Sequence, residues 1–293
     1  RLKKQPLCRL VFRYLVNLCC SLGCLLSLSA ATPAPSIHGK AAIVVDVQSG
    51  RVLYHKNSRE RRAVAGTQEL LTALLIAESG DLSKKVTIRP EDTAAAPTKL
   101  YLKSGQTYTR NDLLTALLVK SPNDVACALA RDHAGSVTAF VQKMNQRAKL
   151  MGATSSRFLN PNGLPARKQY STARDLAIIA RNAYANPVIR RIVALKSFEF
   201  RFANGRTRKL VNTNRVLRQA PFCNGMKTGY TNAAGHCLVS SGENKGRDVI
   251  AVILGSNKSH VWKDSEKLLK WGLRRCVPVQ GSPPAPALTM LRS

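Results

Sequence analysis

The sequence predicts a mixed α/β fold of the α+β kind: an antiparallel sheet flanked by helices, with a helical lobe inserted between its strands. Three observations predict it. Two apolar runs rich in β-branched residues flank Gln48-Ser49-Gly50 in AAIVVDVQSGRVLYHKN, the pattern of a β-hairpin. From residue 66 to residue 187 the chain then passes through successive amphipathic stretches of helical spacing. From residue 198 to residue 256 it returns to short strands divided by turn residues, and one more helical stretch follows. Strands, then helices, then strands again place a helical insertion beside one sheet.

Taken in order, the elements begin with an export signal. RLKKQPLCRLVFR holds five basic residues and no acidic one, and YLVNLCCSLGCLLSLSAA after it is almost wholly apolar. A charged n-region, an apolar h-region and small residues at Ser29-Ala30-Ala31 predict a signal peptide over residues 1–31. The alternative is an uncleaved N-terminal membrane anchor. Lipoprotein cleavage before Cys24 is disfavoured, because Ser21-Leu22-Gly23-Cys24 lacks leucine at the usual position. Residues 32–39 read as a linker and 40–275 as one domain. The domain opens with the hairpin. GTQELLTALLIAES, 66–79, has Leu70, Leu71, Leu74 and Leu75 on one face and reads as a buried helix.

RNDLLTALLVKSPNDVACALARDHAG gives two helices broken at Ser121-Pro122-Asn123. Asn111 and Asp112 suit the start of the first, and Pro122 suits the first turn of the second. VTAFVQKMNQRAKLMGA is a helix ended by Gly152, and STARDLAIIARNAYANP is another with Pro187 after it. FEFRFANGRTRKLVNTN reads as two strands about an Asn-Gly turn. GMKTGYTNAAGHCLVSSGENKGRDVIAVILGS reads as a three-strand meander, and SHVWKDSEKLLKWGLRR as the closing helix. The proline-rich tail, 276–293, is expected to be disordered.

Composition narrows the function. Lys and Arg number 46 against 16 Asp and Glu, so the surface attracts polyanions such as nucleic acid, anionic lipid or an anionic cell-envelope polymer. An ordinary solvated basic face explains the same charge. Export argues against nucleic acid and points to a periplasmic or otherwise extracytoplasmic protein. Outside the signal the cysteines are Cys127, Cys223, Cys237 and Cys276. No CxxC joins them, so neither a zinc site nor any other metal is expected, and no cofactor is implied. Disulfides and free buried thiols both remain open.

Two short motifs carry the chemistry. Ser121-Pro122-Asn123 lies between helices of the lobe, and Lys227-Thr228-Gly229 opens the meander. Each alone reads as a helix break or a basic strand edge. Their order and spacing, together with AAIVVDVQSGRVLYHKN, SPNDVACALA, FLNPNGLP, STARDLAIIA, NTN and GMKTGYTNAAGHCLVSSG, resemble the penicillin-recognising serine D-alanyl-D-alanine carboxypeptidases, the low-molecular-mass penicillin-binding proteins. The resemblance covers roughly residues 40–275. It implies a β-lactamase/transpeptidase-like fold with the site between sheet and helical lobe, and peptidoglycan stem peptides as partners.

That family's chemistry uses Ser-x-x-Lys as nucleophile and base, Ser-x-Asn as proton relay and substrate amide, and Lys-Thr-Gly as receptor for the terminal carboxylate. The oxyanion is held by backbone N–H groups of the serine and of the residue after the strand motif. Carried over, Ser121 and Asn123 match the second motif, Lys227, Thr228 and Gly229 the third, and Tyr230 the second oxyanion donor. The first motif falls on Ala65-Gly66-Thr67-Gln68-Glu69. Gly66 stands where the resemblance implies serine, and Glu69 where it implies lysine. No serine lies three residues before any lysine in the chain. Thr67 is one residue late, which turns its side chain about 100° from the site on a helix.

Gly66 and Glu69 still make good helix-start chemistry, glycine as N-cap and glutamate accepting from the first amides. The expectation is therefore a carboxypeptidase-like protein with its acylation centre removed, its cleft open to peptidoglycan stem peptides. Glu69 is also placed to pair with Lys227. The alternative is a peptidoglycan D-alanyl-D-alanine carboxypeptidase. It is serine-type in a relative with the motif intact, or here one in which Glu69 activates a water directly.

Overall fold

In the computed structural model the described residues are 33–276. The expected signal peptide, and the tail beyond Cys276, lie outside them. β1 (Ala41–Asp46) and β2 (Val52–Lys56) form the expected hairpin, paired antiparallel. Its turn is fixed locally: Asp46 Oδ1 accepts from Ser49 N at 2.8 Å and from Ser49 Oγ at 2.9 Å. Gly50 takes φ +72°, a left-handed conformation that glycine adopts without the strain a side chain would bring.

All of β1 is buried because the sheet is covered on both faces. Ala41, Ile43 and Val45 face the larger core under the helices, and Ala42 and Val44 face a smaller core under the last helix. The other strands of this sheet are β7 (Cys223–Thr231), β8 (Gly235–Asn244) and β9 (Arg247–Ser256), the predicted meander. The order is β2-β1-β9-β8-β7, antiparallel throughout, which leaves β7 as an edge strand.

Between β2 and β7 lies the helical lobe. A 3-10 turn, Ala65–Gln68, leads into α1 (Glu69–Glu78). Two three-residue strands, β3 (Lys85–Thr87) and β4 (Thr107–Thr109), enclose α2 (Pro90–Thr93). α3 (Arg110–Lys120) starts one residue before the expected cap, and the hydroxyl of Thr109 accepts from Asp112 N at 3.0 Å. α4 (Asn123–Ala134) and α5 (Val137–Leu150) follow, then α6 (Ala173–Ala185). Pro122 precedes α4 as its N-cap instead of entering its first turn. Pro187 does not close the chain's helical run; it is the first residue of α7 (Pro187–Val193). There its absent N–H costs nothing, and Asn186 Oδ1 caps Val188 N and Ile189 N.

β5 (Ser197–Arg201) and β6 (Thr207–Val211) make a separate hairpin, and α8 (Val216–Gln219) leads back into β7. α9 (Val261–Arg275) covers the second face of the sheet.

The long segment before α3 is held by buried charge. Arg131 Nη2 lies 2.7 Å from Asp92 Oδ2 and donates to Thr87 O at 2.8 Å. Asp124 accepts from Leu100 N at 3.0 Å and Leu102 N at 3.2 Å. These bonds set the wall that stands over Ser121 and Asn123.

The expected linker also needs correction at its end. Ile37 is buried, and buried Asp264 Oδ2 accepts from His38 N at 2.8 Å and Gly39 N at 3.2 Å. Residues 37–39 therefore belong to the packed domain. Asp264→Ala removes a charged acceptor from two amides and is expected to cost about 2 kcal/mol of stability, read as a lowered midpoint in denaturant.

Candidate functional site

Three segments meet where edge strand β7 lies against the lobe: the 3-10 turn with the first residue of α1, the α3–α4 junction, and the centre of β7. Gly229 is what lets β7 approach the turn. A Cβ on Gly229 would lie 2.6 Å from Gly66 N and 2.8 Å from Thr67 N. The chain enters α1 there through a 3-10 turn with Ala65 at φ 49°.

Glu69 is the hub, and its role differs from the expected capping. Gly66 lies inside the turn, the residues before the turn and before α1 are Val64 and Gln68, and neither caps through its side chain. The Glu69 carboxylate is wholly buried, with Oε2 3.0 Å from Lys227 Nζ and accepting from Ser121 Oγ at 2.8 Å. Lys227 is itself 1% exposed, and its ammonium also donates to Thr228 O at 3.0 Å. Glu69 Oε1 has no hydrogen-bond partner among the described residues. Burial pushes the Glu69 carboxyl above the ordinary carboxylate range, and Lys227 and Ser121 oppose that push.

Position 66 faces this network. A Cβ built there would lie 3.1 Å from Ser121 Oγ, 3.3 Å from Thr228 O and 3.6 Å from Lys227 Nζ. Thr67 does not reach it: its buried hydroxyl donates to Val64 O at 2.6 Å. Cys127 is no substitute nucleophile, because burial pushes its thiol up to about 11. It and Cys223, Cys237 and Cys276 are all free.

The other site residues are arranged around the hub. Ser121 closes α3 in the left-handed region, φ 62° and ψ 47°. L-residues adopt that conformation at a cost, and here it turns the hydroxyl's backbone toward Glu69. Asn123 secures the wall above, with Nδ2 donating to Ala96 O at 2.8 Å. Thr228 Oγ1 donates to Thr213 Oγ1 at 2.7 Å. Tyr230 stands outside the network, 57% exposed, its ring 4.5 Å from that of His236.

Beside β7 runs a cleft of about 360 Å³. Thr228, Gly229 and Tyr230 line it on one side, and Thr213, Arg215 and Arg218 on the other. The two arginines were not singled out in the sequence. Arg215 precedes the four-residue α8 as its N-cap and Arg218 lies within it, so they carry no periodic signal. Only the neighbouring Asn212-Thr213-Asn214 hinted at the site, and its asparagines prove structural: Asn214 Nδ2 donates to Gly225 O at 2.8 Å.

Among the described residues no group of three or more His, Cys, Asp or Glu is placed to hold a metal ion, and no helix is long and apolar enough to cross a membrane. The network can orient a proton between Ser121 and Glu69 and can hold a charge on Lys227. It offers no hydroxyl at position 66.

Comparison with known proteins gives a consistent picture. The family model for D-alanyl-D-alanine carboxypeptidase, peptidase S11, matches residues 28–258. D-alanyl-D-alanine carboxypeptidase DacF of Bacillus subtilis is 34% identical over 223 residues, which are 74% of this chain and 57% of DacF. The chain thus spans little more than half the length of that relative. D-alanyl-D-alanine carboxypeptidase DacB2 of Mycobacterium tuberculosis is 36% identical over 250 residues, 83% of this chain and 85% of DacB2. Among solved structures, the Streptomyces K15 DD-transpeptidase matches with a TM-score of 0.78 at 28% identity, covering 83% of this chain and 99% of that one.

Proposed function

The chain belongs to the D-alanyl-D-alanine carboxypeptidase family, and on that premise we propose that it is an exported member that keeps the cleft and has lost the acyl-transfer step. It acts by binding peptidoglycan stem peptides rather than by cutting them. The observation that carries the reading is the position of the Glu69 carboxylate, 3.0 Å from Lys227 and 2.8 Å from Ser121, beside a residue 66 that has no side chain. Covalent catalysis needs a nucleophile within reach of a base. Here Glu69 is an acid held by two donors, and the residue facing them is glycine. By the resemblance, Gly66 and Glu69 replace the serine and lysine of Ser-x-x-Lys. Ser121, Asn123, Lys227, Thr228 and Gly229 keep the other two motifs.

The test is turnover. Full-length chain incubated with a D-Ala-D-Ala-terminated pentapeptide is expected to release no D-alanine above a buffer control. One observation favours a second reading, in which Glu69 activates a water: its Oε1 is buried without a partner. Under that reading D-alanine is released, and Glu69→Gln abolishes the release. Any turnover that survives Glu69→Gln sinks both readings.

Binding gives a further prediction. Glu69 neutralises the cation that would meet a terminal carboxylate, so Glu69→Gln frees Lys227 for the ligand. The variant is expected to bind the pentapeptide roughly tenfold more tightly, the worth of one charge-assisted hydrogen bond. Equal affinity by calorimetry would mean that Lys227 takes no part in binding.

A further inference from the structure

A second concentration of charge lies at the far end of the sheet, and it shares no lining residue with the cleft. The β8–β9 turn brings Lys245 and Arg247 beside Lys270 and Arg274 of α9. With Phe222 and Leu273 they line a pocket of about 360 Å³. Among the described residues only Lys270 of these four cations has a carboxylate partner, Glu266, at 2.6 Å. Lys270 Nζ also stands 5.7 Å from the centre of the Phe222 ring. Arg247 is the most informative. Its Nη1 donates to Leu273 O at 3.4 Å, yet its Nε is buried with no acceptor. A buried donor without a partner is costly, and a turn of the Arg247 side chain toward the pocket it lines would give Nε an anion as acceptor.

The pocket is the end of a line. Lys263, Lys267, Lys270 and Arg274 fall at successive four-, three- and four-residue steps on α9, and all are exposed. That spacing makes one stripe about 16 Å long. Arg274 complements the negative end of the helix dipole. Lys263, in the first turn, opposes the positive end, so helix stability does not account for the stripe. Among the described residues the large exposed apolar side chains are Tyr101, Leu150, Leu159, Val211 and Tyr230, none of them on α9 or the β8–β9 turn. A bilayer-docking face uses an apolar wedge beside its cations. A charged chain laid along a groove does not need one.

We propose that this pocket and the α9 stripe bind a polyanion whose repeating link is a phosphodiester, with one phosphate seated against Arg247 and its neighbours tracked along Lys263 and Lys267. Arginine suits the seat, since its planar fork matches two phosphate oxygens. The interaction is independent of the cleft and of what the cleft binds.

The experiment titrates the full chain with a short synthetic poly(glycerol phosphate) at several salt concentrations. Arg247→Gln is expected to weaken binding about tenfold, as loss of a bidentate charged contact does. Lys263→Gln/Lys267→Gln is expected to weaken it comparably and to flatten the dependence of log K on log salt by about one to two units, the footprint of two lost phosphate contacts. A control with equal charge removed from the β5–β6 hairpin, Arg206→Gln/Arg208→Gln, is expected to shift affinity by no more than about twofold. Thermal unfolding checks that Arg247→Gln still folds, and the α9 pair tests the proposal if it does not. Equal losses in the hairpin control would reduce the effect to diffuse charge and overturn the proposal. So would absence of binding to the oligomer, or binding to phosphatidylglycerol vesicles alone.

Discussion

Incubated with benzylpenicillin, the chain is expected to keep its intact mass, and a Gly66→Ser/Glu69→Lys variant is expected to gain one acyl adduct per molecule. The first half follows from residue 66, which has nothing to acylate, and from Thr67 and Cys127, whose hydroxyl and thiol are committed or inert. The second half follows from space and charge. A side chain at 66 enters among Ser121 Oγ, Thr228 O and Lys227 Nζ at 3.1 to 3.6 Å. The nearest of these is a hydroxyl, free to turn once Glu69 no longer holds it.

A lysine at position 69 would bury a second ammonium beside Lys227. Two like charges at one buried site cannot both persist, so one amine is held neutral, and a neutral amine is the base that a serine hydroxyl at position 66 needs. Gly66→Ser alone keeps Glu69 clamped by Lys227 and lacks that base. It is expected to acylate at least about 100-fold more slowly than the double variant, the low end of what a positioned general base contributes. An adduct on the unaltered chain would overturn the reading, and Ser121, 2.8 Å from the Glu69 carboxylate, is the residue to which it should then be mapped. A double variant that folds but takes no adduct would mean that more than two residues disable the site.

Much of this site was legible in the sequence because its parts are punctuated. Ser121-Pro122-Asn123 interrupts two strongly periodic helices, and Lys227-Thr228-Gly229 starts a meander of β-branched strands. Pattern placed both on their elements, the resemblance joined them as parts of one site, and the hairpins about Gln48-Ser49-Gly50 and Asn204-Gly205 were equally plain. Three-residue strands such as β3 and β4 carry too little alternation to detect. Pro187 ends one helix and begins the next, and the two roles read alike in a sequence. The capping expected of Gly66 and Glu69 failed for a tertiary reason. Local chemistry favours the helix start, but β7 crowds the turn through Gly229, and a buried ammonium outweighs the turn's amides as a partner for the carboxylate. The cleft arginines escaped because a four-residue helix has no period.

Replacing Lys227 by methionine is expected to cost about 3–5 kcal/mol at neutral pH, the penalty for stranding a buried charge by removing its partner. Glu69 and Lys227 expose almost nothing to solvent, so water cannot screen the loss. The penalty should depend on pH with a definite sign. The Glu69 carboxyl titrates higher in the folded chain than its ordinary value of 4.5. Between those two values the folded state holds a proton that the unfolded state has released. Stability linked to this group is fully present below the unfolded value and is lost as pH rises through the folded one. Without Lys227 the folded value moves higher still, because the cation that opposed burial is gone.

Denaturant unfolding of Lys227→Met should thus approach the parent near pH 4 and fall away from it as the pH rises toward 8. A Glu69→Met/Lys227→Met double variant should recover most of the loss and show no such slope, since an apolar pair of similar size often matches a buried ion pair in stability. A single variant whose deficit is flat with pH would show that Glu69 is ionised across the range, held by Ser121 and its surroundings without help from Lys227.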